Sequence, residues 1–137
     1  MGQGTSYEDL EQRASLNKFH MHALLKSKKN GGSKDVFIID VREPFEVERY
    51  GTIPFATHMP SSEVRNAFRM SPAGFKAKYK VRMPKLSDKI VFFDQRQGRA
   101  AAAADMLQSL GYKAATFLAD GYGKWSEYGG NEDDEDL

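Results

Sequence analysis

The chain has 137 residues, 40% of them apolar and 12% aromatic, with a formal net charge of +1 and no cysteine. That length suits about one domain with a single core. The missing cysteine excludes disulfides, thiolate metal sites and a thiol nucleophile. No run approaches the roughly 18 apolar residues of a membrane-spanning helix, and no apolar leader segment follows Met1, so an intracellular, cytoplasmic setting is expected.

In chain order, the first feature is Met1-Gly2-Gln3-Gly4-Thr5-Ser6. Glycine at the second position and serine at the sixth fit N-myristoylation, making Gly2 a lipidation candidate. The acidic residues that follow supply no basic second signal, and one acyl chain anchors only marginally. A membrane partner is therefore expected only if Gly2 is acylated. Residues 1–14 read as an N-terminal extension. Leu10, Ala14, Phe19, Ala23 and Leu24 recur at near-helical spacing, which predicts helix in parts of residues 7–29.

"KKNGGSKD" is a loop. "VFIID", residues 36–40, is a compact apolar run of the kind that fills a strand buried on both faces. "PFEVERY" opens a short helix with proline in its first turn, and Gly51 closes it. "ATHMP" predicts a short strand. "SSEVRNAFRM" and "SPAGFKAKYK" predict two helices, each with a serine cap. "KIVFF" is another strand, followed by a helix from about residue 99 that Gly111 terminates. "AATFLA" is a further strand and "GYGKWSEY" a last amphipathic helix. One domain over residues 15–130 is expected, with strands alternating with helices in a mostly parallel α/β sheet covered on both faces.

Charge is unevenly placed. Five of the 19 acids lie in Glu132–Asp136, and the other 14 face 20 basic residues. The run at 131–137 reads as a solvated acidic tail, with contact to a basic surface as the sharper alternative. The basic residues are scattered in sequence and no nucleic-acid motif accompanies them, so no nucleic-acid partner is expected.

The chemistry concentrates at "KIVFFDQRQGRAAAAADML". Ligands of such sheets bind beyond the carboxyl ends of the strands, and Asp94 stands at one such end. Gln95, Arg96, Gln97 and Gly98 then lead into the helix near Arg99. Backbone N–H groups and the helix dipole can converge there on an anion, with Arg96 and Arg99 as reinforcement. The alanines at 100–104 favour helix and allow it to pack closely on a sheet. His20 and His22 are two residues apart and share no helix face, so neither they nor His58 suggests a metal site. Met59, Met70, Met83 and Met106 read as core fillers, with partner contacts as the alternative.

These stretches resemble the rhodanese-like domain, in particular the small single-domain thiosulfate sulfurtransferases. The resemblance covers about residues 15–130. It rests on "IIDVREPFEVERYGTIPFATHMP", on "VFFDQRQGRAAAAADMLQSLGY" and on "FLADGYGKW". It implies a five-stranded sheet flanked by helices on both faces. It also implies an active-site loop of six residues, Asp94 to Arg99, a span that resembles sulfurtransferases rather than the related phosphatases, whose loop is one residue longer. In active members a cysteine opens that loop and carries sulfur as a persulfide. Here Asp94 stands in its place, and Asp120 stands where many members have glycine. Asp40 and Arg42 are implied to form a scaffold ion pair; Trp125, with Tyr122, reads as packing that closes the domain rather than as a ligand platform. A carboxylate can neither form nor release a persulfide bond. It would instead fill the cradle and pair with Arg96 or Arg99. The resemblance thus implies an inactive module without a cofactor, acting on a protein partner or within a larger assembly. The alternative is a sulfurtransferase whose cysteine is replaced by Asp94 in this chain.

Overall fold

The computed structural model describes residues 15–127. The elements are β1 (Ser15–Leu16), α1 (Lys18–Lys29), β2 (Val36–Asp40), α2 (Pro44–Tyr50), β3 (Ala56–His58), a 3-10 turn (Ser61–Glu63), α3 (Val64–Ala67), α4 (Pro72–Tyr79), β4 (Lys89–Phe93), α5 (Gly98–Ser109), β5 (Ala115–Leu118) and α6 (Gly121–Glu127). The strands form one sheet in the order β1-β5-β4-β2-β3. Every pairing is parallel, and the central pair aligns Val36 with Lys89 and Asp40 with Phe93.

Parallel strands need crossovers, and these put helices on both faces of the sheet, so central strands must be apolar throughout. All five residues of β4 are buried. Side chains alternate across the sheet. Ile39, Ile90 and Phe92 face a cluster with Phe75, Leu107 and Ala100, Ala103 and Ala104 of α5. Ile38, Val91 and Phe93 face another with Met21, Leu25 and Trp125. The alanines let α5 lie close against its strands. Met59 is fully buried, while Met70, Met83 and Met106 are partly buried against the first cluster.

Three expectations change. The helix near the N-terminus starts at Lys18, capped by Asn17, whose side chain accepts the His20 N–H at 2.8 Å. Its buried face carries Met21 and Leu25, whereas Phe19 is 55% exposed and Ala23 is exposed. The sheet, rather than the densest apolar spacing, sets the phase of that helix; Leu10 and Ala14 lie outside the described residues. Ser61 caps no helix: Pro60 precedes a 3-10 turn that leads into the short α3. Ser71 does cap α4, accepting the Gly74 N–H at 3.1 Å. Lastly, Ser15–Leu16, which carried no strand signal, pairs with β5 and supplies the fifth strand.

Candidate functional site

From β2 the chain proceeds to β3 on one side, and from β4 to β5 on the other. The crevice beyond the carboxyl ends of β2 and β4 is therefore the switch point of the sheet. Asp40 ends β2, and Asp94 follows β4 directly.

Asp94 is buried, at 4% exposure. Its Oδ1 accepts the Gln95 N–H and its Oδ2 accepts the Arg99 N–H, both at 2.7 Å. The Arg99 Nη2 lies 2.6 Å from Oδ1. The carboxylate thus spans the loop from its first residue to the N-terminus of α5, where the helix dipole also favours negative charge. Arg99 binds a second acid as well, donating from Nη1 and Nη2 to the two Glu46 oxygens at 2.8 and 2.9 Å. These bonds raise the guanidinium above its ordinary range, Glu46 foremost and then Asp94, with burial working the other way. Reciprocally, Arg99 holds the Glu46 carboxyl below its usual value.

Arg42 orders the other side. Fully buried, it donates from Nε and Nη2 to the two Asp40 oxygens at 2.9 and 2.8 Å. It also donates to the Gly51 carbonyl at 2.7 Å and to Gln95 Oε1 at 2.9 Å. Its guanidinium lies 4.3 Å from the Tyr122 ring centroid. Thr52 Oγ1 donates to Asp40 at 2.9 Å, and His58 Nε2 lies 2.8 Å from the Arg42 carbonyl. The pair therefore does not touch Asp94; it acts on the loop through the Gln95 side chain.

The loop backbone is clamped by α6. Tyr122 N–H donates to the Asp94 carbonyl at 2.8 Å, and Gly123 N–H to the Gln95 carbonyl at 3.2 Å. Gly121, at φ +71°, sits so close that a Cβ would overlap the Arg96 carbonyl. Only glycine satisfies both demands. Tyr122 and Trp125 are buried, and the Tyr122 hydroxyl donates to the Tyr50 carbonyl at 2.6 Å.

Not every expected residue joins this arrangement. Arg96 is exposed and pairs with neither Asp94 nor another acid among the described residues; Arg99 alone takes that role. Gln97 and Gly98 are exposed at the start of α5. Asp120 is exposed at φ +63°, a left-handed conformation that aspartate tolerates. His20 is engaged at the α1 cap, its Nδ1 accepting the Asn17 N–H at 3.0 Å. Glu46 carried no signal in the sequence; besides Arg99 it accepts the Glu43 N–H at the start of α2, at 2.8 Å. Nothing local points from it to Arg99, 53 positions away. Gly2 and the acidic run at 131–137 lie outside the described residues. Among the described residues no helix is long and apolar enough to cross a membrane.

The five-stranded parallel sheet flanked by helices is that of rhodanese-like structures, and the sequence profile "Rhodanese-like domain" matches residues 21–128. The chain belongs to the rhodanese-like domain family. It is 42% identical over 91 residues to the human "Thiosulfate:glutathione sulfurtransferase", covering 66% of this chain and 78% of that protein. It is 38% identical over 96 residues to the mouse "Thiosulfate sulfurtransferase/rhodanese-like domain-containing protein 3"; the match takes in 70% of this chain and 61% of the mouse protein's length. The structure of the human single-domain sulfurtransferase TSTD1 superposes with a TM-score of 0.75 at 35% identity, covering 84% of this chain and 96% of that one.

Proposed function

We propose that this chain is a rhodanese-like module that does not transfer sulfur, its anion cradle being filled by its own Asp94, and that it acts through protein interaction or as part of a larger assembly. The observation that carries the reading is the Asp94 carboxylate, held by the Gln95 and Arg99 N–H groups and by the Arg99 guanidinium. Persulfide chemistry needs a polarisable atom that is in turn nucleophile and leaving group. The chain has no cysteine to supply one, and a carboxylate oxygen cannot replace it. An incoming thiosulfate dianion would have to displace a carboxylate bonded by three donors, two of them neutral and one cationic. Charge-assisted bonds of this kind contribute about 1.5–3 kcal/mol each, so the resident anion outcompetes a dilute one.

An interaction role draws support from aromatic side chains left in solvent. Phe45 is 65% exposed on α2, and Phe55 is 56% exposed at φ +69°. A bulky aromatic residue adopts that conformation only at a cost. No cofactor enters the proposal.

A second reading, a sulfurtransferase altered at one position, is favoured by the donors themselves: they converge on the point where a nucleophile at residue 94 would stand. Asp94→Cys separates the two readings. With thiosulfate, intact mass should show the variant gaining one sulfur if Asp94 alone silences the cradle. A variant that stays unmodified leaves the interaction reading in place. Thiocyanate formation from thiosulfate and cyanide by the unaltered chain, well above background, would overturn the inactive reading altogether.

A further inference from the structure

Residues 15–127 include 19 basic and 11 acidic residues, and the excess is not evenly shared. Between Val64 and Ser87 stand seven cations, Arg65, Arg69, Lys76, Lys78, Lys80, Arg82 and Lys85, and no acid; the rest of that span has 12 against 11. All seven are exposed. The segment runs through α3 and α4 to the loop before β4, and its buried residues Val64, Ala67, Phe68, Phe75 and Tyr79 all enter one apolar cluster. Its exposed side chains therefore face outward from a single side of the sheet.

The acids on that side leave most of these cations unmatched. Glu63 accepts the Tyr79 hydroxyl at 2.8 Å, with the Lys78 Nζ 3.5 Å away. Asp88 is taken by Arg82 at 2.8 Å and by the Lys85 N–H at 2.7 Å. Asp105 is exposed on α5, whose buried alanines enter the same cluster. Arg65, Arg69, Lys76 and Lys85 have no ion-pair partner among the described residues, nor has Lys80, whose Nζ donates to the Ala77 carbonyl at 2.9 Å. Cations elsewhere are matched or dispersed. α1 ends in Lys26, Lys28 and Lys29, where positive charge answers the helix dipole. Lys34 precedes Asp35, Arg49 follows Glu48, and the Lys124 Nζ lies 3.8 Å from Glu127. Arg96 and Lys113 stand on loops at opposite ends of the strands.

The kind of polyanion follows from what surrounds the charges. The three aromatic residues of the segment, Phe68, Phe75 and Tyr79, are all buried. No ring of this segment is offered on which a nucleobase could stack, nor one to anchor a compact protein interface. Ser71, Pro72, Ala73 and Ala77, exposed between the cations, are short. Four of the seven cations are lysines, point charges on flexible stems that require no fixed partner geometry. Leu86, beside Lys85, is 58% exposed. Mobile cations spread over one side, with an exposed leucine among them, match a surface of anionic headgroups, which attracts each charge within a screening length.

We propose that the side of the molecule formed by residues 64–87 binds an anionic lipid surface, with Arg65, Arg69, Lys76 and Lys80 supplying most of the attraction. No acyl group is required, and the binding is independent of what Asp94 does.

Co-sedimentation of the full, unacylated chain with lipid vesicles tests this. The chain should bind vesicles of phosphatidylcholine and phosphatidylserine in equal amounts at about 0.1 M salt and leave them at about 1 M, where the screening length is about 3 Å. Vesicles of phosphatidylcholine alone should not retain it. Arg65→Gln, Arg69→Gln, Lys76→Gln and Lys80→Gln together should weaken binding at least about tenfold. Lys26→Gln, Lys34→Gln, Arg49→Gln and Lys124→Gln remove as many exposed charges from other places and should leave binding as it was; circular dichroism melts check that both variants fold. An equal loss in the two variants would mean that only net charge matters and would overturn the proposal. Failure of the unaltered chain to bind the mixed vesicles would overturn it as well. So would release from those vesicles by poly-glutamate or single-stranded DNA at equal anion concentration, because the preferred occupant would then be an acidic protein segment or a nucleic acid.

Discussion

Asp40 and Asp94 sit one strand apart at the same edge, and their partners give them different work. Asp94 is bonded by the loop it opens, whereas Asp40 receives Arg42 from within its own turn, and Arg42 reaches on to Gly51 and Gln95. Both members of the Asp40–Arg42 pair are fully buried. Two charges removed from water are tolerated only because each meets the other and each guanidinium nitrogen finds an oxygen. Breaking one member therefore costs far more than the pair contributes. Asp40→Ala leaves a buried guanidinium with carbonyl and amide oxygens alone, and the expected destabilisation is about 3–5 kcal/mol. Urea unfolding measures it; a loss below about 1 kcal/mol would mean that water reaches Arg42 and that the network does not hold the loop. The resemblance carried by "DVRE" implied this pair, which the structure forms. The third contact, to Gln95, spans 53 positions and had no sequence signal.

Between elements, α2 and α5 are joined across the site by the Glu46–Arg99 pair, and this joint should be visible in acid. Glu46 has its carboxyl depressed below the ordinary value, chiefly by the Arg99 bond. A depressed acid binds fewer protons folded than unfolded, so its contribution is complete above the usual glutamate range and fades as pH falls through the lowered value. Asp88 adds to the same trend: burial would raise it, but Arg82 and the Lys85 N–H outweigh burial and hold it low. Stability should thus fall as pH drops from about 5 towards 3. Glu46→Gln should flatten that slope, and denaturant melts across this range would show it; an unchanged slope would assign acid sensitivity to other carboxylates. The elements themselves were legible where the signal was local. β2, β4 and α2 match their apolar runs and proline, and Ser71 caps α4 as its position suggested. β1 was not legible, because two residues have no periodicity and Ser15–Leu16 is a strand only through β5. The phase of α1 was misjudged for a related reason: a helix buries the face its neighbour meets, and Met21 and Leu25 meet the sheet.

At the scale of the molecule, the sheet separates two apolar clusters and also couples them. Alternate residues of β4 enter opposite clusters: Ile90 and Phe92 join Phe75 and Leu107, while Val91 and Phe93 join Met21 and Trp125. Neither face can lose its packing without disturbing strands that the other requires, so unfolding should be a single cooperative transition. Trp125, the only tryptophan in the chain and fully buried, reports on one face by its fluorescence. Phe75, 1% exposed on α4 and packed edge-on against Phe68 at 5.6 Å, belongs to the other. Phe75→Ala removes a buried ring and leaves a cavity, at a cost of about 3–5 kcal/mol. The denaturation midpoint read from Trp125 should then fall by the same amount as the midpoint read from backbone circular dichroism, although the ring and the indole lie across the sheet from each other. If the Trp125 midpoint held while the circular dichroism midpoint moved, the faces would be separate folding units. The α6 clamp on the Asp94 loop would then outlast the loss of α4.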